Sequence, residues 1–234
     1  MSHAFPYRTA LIVGAGAGLS ASLARALTAA GVQVGLAARN PAKLAPLAEQ
    51  IGARTYAVDA SGAEAVAGLF QAVDASLGEP DVVIYNASGR SPGPLVDLDP
   101  EAVRRAIEVA AFGGFLVTQQ AARRMLKHRH GAILLTGATA SVKGFARSAA
   151  FAMGKFALRG LAQSAARELA PQGIHVAHVV IDGGIRSATR GDPADRPDST
   201  LDPDAIAETY LALLRQPRNA WSWEIEVRPW VETF

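Results

Sequence analysis

Residues 11–27 read LIVGAGAGLSASLARAL. Three apolar residues run into a turn of glycine and alanine. Leucines at 19, 23 and 27 then recur at four-residue spacing, which is the period of one helix face. The stretch therefore reads as a strand, a glycine-rich turn and an amphipathic helix. Small residues at such a turn let backbone N–H groups approach a pyrophosphate at the positive end of the helix. Taken alone, the spacing is ambiguous. Gly14 and Gly16 open a G-x-G-x-x-G pattern whose last place holds Leu19, and Gly14 and Gly18 open a G-x-x-x-G-x-G pattern whose last place holds Ser20. A tight turn without ligand is the alternative reading.

The alternation continues along the 234 residues. Strands are predicted at Thr9–Val13, Val32–Ala37, Thr55–Val58, Asp81–Tyr85, Ala132–Thr136, His175–Ile181 and Glu224–Val227. Most are almost wholly apolar, as parallel strands covered on both faces must be. Helix patterns lie between them. NPAKL, DPEAV and DPDAI each place an N-cap residue (Asn40, Asp99 or Asp202) before a proline at the first helical position. Such alternation predicts a doubly wound parallel α/β sheet with right-handed crossovers. No linker precedes residue 186, so residues 1–234 are read as a single domain. RSATRGDPADRPDSTLDP, 186–203, is polar and broken by prolines, and predicts a mobile loop beside the substrate.

Half of the residues are hydrophobic, and 23 Lys and Arg against 21 Asp and Glu give a formal net charge of +2. That balance makes no case for nucleic-acid binding. RRMLKHRH, 123–130, is the one basic cluster, and it falls where a helix should end and cations meet the negative end of the dipole. The absence of cysteine excludes disulfides, thiolate catalysis and Cys-ligated zinc. MSHAFPYRTALIVG lacks the layout of a signal peptide, and no apolar run approaches the roughly 18 residues of a membrane span. A cytoplasmic protein with no membrane partner is expected. Neither H-E-x-x-H nor G-x-S-x-G is present, so no metal site and no serine hydrolase is expected.

VQVGLAARN, 32–40, ends without the acidic residue that binds a free ribose 2′-hydroxyl. Arg39 stands there, where a guanidinium can pair with a 2′-phosphate. This favours NADP(H), with NAD(H) the weaker candidate. A solvated loop residue is the alternative for Arg39.

VDAS (58–61), VIYNASG (83–89), GAILLTGATAS (131–141) and FAMGKFALRGLAQSAARELAPQGIHVAHVVIDGGI (151–185) follow in order. Together with the glycine turn they resemble the short-chain dehydrogenase/reductase family over nearly the whole chain. The resemblance implies a Rossmann-type, three-layer αβα fold with seven strands in the order 3-2-1-4-5-6-7. It places Gly14, Ala17, Gly18, Leu19 and Arg39 at the cofactor, Asp59 at the adenine with Ala60 beside it, and Asn86, Ala87 and Ser88 beside the ribose. Gly183 and Ile185 match the segment whose backbone meets the nicotinamide amide, Ser187 matches a nearby Thr, and Lys155 matches the Lys that holds the nicotinamide ribose. The departures cluster at the chemistry. The family's catalytic Tyr falls on Phe151, its Ser on Ala138, and its Asn, in the middle of the fourth helix, on Ala110. The third glycine is Ser20, and the Pro of a Pro-Gly pair is Asp182. The chain resembles an atypical subgroup with an incomplete glycine motif and no catalytic Tyr.

Hydride transfer to a carbonyl leaves an alkoxide that must be stabilised and protonated. Phe151, one helical turn before Lys155, has the ring of the family's acid without its hydroxyl. Thr139, Ser141, Ser148 and Ser187 carry hydroxyls close in sequence to the site, with turn capping as the alternative. His175 and His178 are read as packing or edge residues, and Tyr85 as a core residue near the pocket. Two functions stay open. One is an NADP(H)-dependent oxidoreductase with a degenerate catalytic set, acting on a small molecule and drawing its proton from a replacement donor, water or substrate. The other is a catalytically inactive NADP(H)-binding sensor or subunit. AWSWEIEVRPWVETF, 220–234, carries all three tryptophans and suggests either an interface or core packing. The resemblance implies a homodimer or homotetramer through the fourth and fifth helices.

Overall fold

The computed structural model describes residues 5–187 and 189–232. The first four residues, Ala188 of the predicted loop and the last two residues of the aromatic tail lie outside the described residues. Seven parallel strands form one sheet in the order β3-β2-β1-β4-β5-β6-β7. They are β1 (Thr9–Val13), β2 (Gln33–Ala38), β3 (Arg54–Ala57), β4 (Val82–Tyr85), β5 (Gly131–Thr136), β6 (Ile174–Ile181) and β7 (Glu224–Val227). Every predicted strand is present with its ends moved by at most one residue. The register pairs Leu11 with Gly35 on one side and with Val83 on the other.

Alternate side chains of each strand enter opposite cores. Ile12, Leu36, Ile84, Leu134 and Val179 pack under α1 (Leu19–Ala29) and, through Ile206, Tyr210 and Leu214, under the last helix. α2 (Ala45–Ile51) covers the same face. Leu11, Val13, Val83, Tyr85 and Ile133 meet α3 (Ala63–Leu77) and the helices that follow it. These are α4 (Pro100–Ile107), α5 (Gly113–His128) and α6 (Ala149–Leu169), and α7 (Pro203–Leu214) closes the chain's helices. Burial of every residue of β5 and β6 explains why the sequence shows apolar runs there rather than alternation.

Two of the three predicted caps form. The Asp99 carboxylate accepts from the N–H groups of Glu101 and Ala102 at 3.2 and 3.1 Å, and that of Asp202 accepts from Asp204 N–H at 2.8 Å. Asn40 is the exception: Pro41–Leu44 is a 3-10 turn with no side-chain cap. Pro46 has no N–H to continue an α-helix begun at Pro41, so the helix restarts at Ala45. The basic cluster ends α5 as predicted, with Lys127 2.5 Å and His128 3.1 Å from the Glu79 carboxylate.

A second difference lies around Ala110. The predicted fourth helix is α4 and α5 joined through a π-helical segment, Glu108–Phe112. Its widened backbone leaves carbonyls without their usual partners, and the Tyr85 hydroxyl donates to one of them, that of Val109. Tyr85 is thus a core residue, fully buried, with its phenol pushed well above the usual range by that burial.

Candidate active site

The carboxyl ends of β1, β2, β4, β5 and β6 converge on one edge of the sheet, around the place where the strand order reverses. In open α/β sheets ligands bind at that switch point. The turn after β1 begins with Gly14 at φ +85, and an added Cβ would collide with the Ala87 backbone, so β1 and β4 approach too closely for any side chain. At Gly16 and Gly18 an added Cβ meets nothing within 4 Å. Their cradle is open, and a side chain would fill it. Gly18 is the N-cap of α1, and no side chain caps the helix. The first-turn N–H groups are left for a ligand.

Ser20, in place of the third glycine, is buried and knits the turn together. Its hydroxyl donates to the Gly14 carbonyl at 3.3 Å and accepts from the Asn86 side-chain amide at 2.7 Å. Asn86 is therefore fixed by the turn. A cleft of about 710 Å³ spreads from this turn, lined among others by Ala17, Ala60, Ala87 and Ser88. Its far end is lined by Arg39, Asn40 and Lys43. A smaller hollow of about 250 Å³ continues along Gly18, Leu19, Ile185, Arg186 and Ser187. Asp59 lies with Arg39 in an adjoining groove. Its carboxylate accepts from the Ser61 hydroxyl at 2.7 Å and N–H at 3.0 Å, which with the Arg39 charge holds it below the usual range. Gly183 closes against Pro229 rather than lining either cleft.

Lys155 lines neither of these clefts and is only 3 % exposed. Its ammonium donates to the Thr136 carbonyl at the end of β5, at 2.6 Å. Burial first, then the Arg90 charge, push its pKa down to about 8. Phe151 sits one turn earlier, its ring centre 5.9 Å from the ammonium. The Arg90 guanidinium lies over the same ring at 4.1 Å. The Ala138 N–H donates to the Ser141 hydroxyl at 3.1 Å, so Ser141 is a buried turn cap rather than a free donor. Ala110 packs against α6 at Gly154, where even a methyl would be crowded, so this position serves close helix packing.

Behind the site, His178 shares Glu224 with Arg159 at 3.0 and 2.6 Å, and burial pushes its pKa down to about 4. His175 stacks on Trp221 at 4.8 Å, and burial lowers its pKa too. Both are neutral packing residues, as expected. Asp182, in place of a proline, pairs with Arg228 at 2.8 Å and ties the end of β6 to the C-terminal segment. In the 186–203 loop Arg186 pairs with Asp192 at 3.0 Å and Asp202 at 3.5 Å, while Asp192 also accepts from Thr200. Of the tryptophans, Trp221 and Trp223 pack inward, and Trp230 is 81 % exposed. Among the described residues no cluster of three metal-ligating side chains exists, and no helix is long and apolar enough to cross a membrane.

The short chain dehydrogenase family model matches residues 8–195. The chain belongs to that family. An uncharacterized oxidoreductase of Staphylococcus aureus (strain N315) is 30% identical over 231 residues, covering 95% of this chain and 97% of that protein. A short-chain dehydrogenase from Rhodopseudomonas palustris shares 37% identity at a TM-score of 0.83, covering 95% of this chain and 99% of that one. A metagenomic short-chain oxidoreductase in complex with NADP shares 29% identity, also at 0.83, covering 95% and 97%.

Three residues of the site escaped the sequence reading. Lys43 shares the cleft with Arg39, and its signal was a second cation four residues on. Ser20 was read only as a missing glycine. Arg90 directly follows the N-A-S-G segment, but nothing local in the sequence points its guanidinium at Phe151.

Proposed function

We propose that the chain is an NADP(H)-dependent oxidoreductase. The observation that carries this reading is the pair of cations, Arg39 and Lys43, lining the far end of the cleft above the open glycine cradle, with no acidic residue lining that cleft. The cradle and helix N-terminus suit a pyrophosphate, and two cations suit a ribose 2′-phosphate. Gly14, Ala17, Gly18, Leu19, Ala60, Ala87, Ser88, Ile185 and Ser187 would border the cofactor, and Asp59 the adenine. Bound there, the cofactor would supply or accept a hydride at a carbonyl or carbinol carbon. Lys155, an acid of pKa about 8 at the base of the site, holds a proton at Nζ near neutral pH and favours negative charge on a nearby oxygen.

NADPH is expected to bind roughly tenfold or more tighter than NADH, since a hydrogen bond to a charged group is worth about 1.5–3 kcal/mol. Arg39→Asp should narrow or reverse the preference. Equal affinities by calorimetry in the unmodified protein would end the argument. One observation favours a second reading, a cofactor-binding sensor or subunit without turnover: positions 110, 138 and 151 carry no hydroxyl or amide. A turnover screen with NADPH separates the two.

The same reading includes a homodimer. Phe112, Phe115, Met153 and Phe156 expose large apolar surface on α5, α6 and the π segment. Sedimentation equilibrium showing only monomer at micromolar concentration would remove this assembly.

A further inference from the structure

Five cations come from three loops at the carboxyl ends of the strands and from one helix. Arg90 follows β4, Lys143 and Arg147 follow β5, Lys155 lies on α6, and Arg190 follows β6. Arg147 meets the β4 side through its carbonyl, which accepts from Gly93 N–H at 3.1 Å. Arg190 lies on Gly184, where an added Cβ would meet its side chain at 3.3 Å. None of the five pairs with a carboxylate among the described residues. Elsewhere Arg124, Arg159, Arg186 and Arg228 each hold one.

Arg90 and Lys155 are the two of the five that meet at the Phe151 ring. The Arg90 guanidinium carbon lies over the Phe151 ring, 4.1 Å from the centre, and the Lys155 ammonium lies 5.9 Å from the same centre. Two like charges on one ring repel each other. An anion placed between them removes that repulsion and gains hydrogen bonds from both. Arg90 is exposed, and among the described residues its guanidinium makes no hydrogen bond or ion pair, so its planar fork can match a carboxylate in two parallel hydrogen bonds. The ring that replaces the family's phenol is thus a platform for a cation.

We propose that Arg90, seated on Phe151 beside Lys155, binds a carboxylate of the substrate, so that this cleft takes oxo acids or hydroxy acids in preference to neutral ketones and alcohols. The inference deepens the NADP(H) reading and rests on it for the identity of the site.

The test uses phenylglyoxylate and its methyl ester as probes, which differ by one negative charge. NADPH is first titrated into the full chain by its fluorescence. Failure at that step removes the cofactor reading alone, and the two probes are then compared on the chain without cofactor. On NADPH-loaded protein the acid is expected to bind roughly ten- to a hundred-fold tighter than the ester by calorimetry, the range for a hydrogen-bonded charge. Arg90→Gln should abolish the difference at an unchanged NADPH affinity, and Arg90→Lys, with charge but no planar fork, should keep only part of it. Arg90 is exposed, so both variants should fold. Equal binding of acid and ester, binding of neither, or a difference that survives in Arg90→Gln would overturn the proposal. Tighter binding of phenyl phosphate than of phenylglyoxylate would overturn the carboxylate assignment.

Discussion

Lys155→Met is expected to stabilise the cofactor-free protein by about 2 kcal/mol at pH 7, and to weaken NADPH binding roughly ten- to a hundred-fold. Lys155 is buried, and its pKa falls from an ordinary 10.5 to about 8. At about 1.4 kcal/mol per unit, holding its charge inside costs roughly 3 kcal/mol. Methionine has a similar unbranched stem and no charge to desolvate. Losing the bond to the Thr136 carbonyl offsets about 1 kcal/mol of the gain. The sign follows from proton counts. Below pH 8 the lysine is charged in both states, and the full penalty is present. Between about 8 and 10.5 the unfolded chain keeps a proton that the folded chain has lost, so the parent gains stability as pH rises. The advantage of Lys155→Met should therefore be largest near pH 7 and fade toward pH 10.5. Urea unfolding of both proteins across that range measures it. A variant less stable than its parent at pH 7 would show that burial of this lysine costs nothing. A destabilising charge kept inside the fold is what a functional site requires and a purely structural one does not.

Phe151→Tyr combined with Ala138→Ser is expected to reduce trifluoroacetophenone with NADPH roughly 10²-fold faster than the parent, the lower end of what a placed general acid contributes. Phe151→Tyr alone adds a phenol without a partner. Burial raises its pKa, but the Arg90 guanidinium over the ring and the Lys155 ammonium 5.9 Å from its centre both favour the phenolate. Ala138→Ser supplies the hydroxyl partner, because Ser141 is already engaged by the Ala138 N–H. Groups that act as a unit are non-additive, so each single variant should gain little. The assay is steady-state NADPH oxidation on all four proteins, with NADPH affinity measured first. A double variant that binds NADPH and stays at background would mean the pocket as a whole, not only its acid, has left simple carbonyl reduction. Weight would then pass to the non-catalytic reading.

The site was legible in part, and the division is physical. The glycine turn, Arg39 after β2 and the N-A-S-G segment were readable because each is a short stretch whose backbone geometry depends on its own residues and its neighbours in sequence. Ser20 was visible but its role was not. A hydroxyl reads as a lost glycine until Asn86, 66 residues away, is seen to donate to it. Ala110 read as a lost asparagine. Its packing against Gly154 depends on a π turn that sequence periodicity cannot show, because the extra residue shifts phase by less than the pattern resolves.

The sequence by itself determined the sheet, its seven strands and its parallel sense. Apolar runs, helix periods and the Asp99 and Asp202 caps are local signals, and the short βα connections leave few ways to assemble them. Only the tertiary structure decided what surrounds Phe151. Arg90 and Phe151 are 61 positions apart in the chain, and neither residue type specifies the other. Their contact exists because the loop after β4 and α6 bring distant residues together, and the depressed pKa of Lys155 exists because that lysine is buried beside them. Electrostatics there depends on burial and distance, which no local run of sequence encodes.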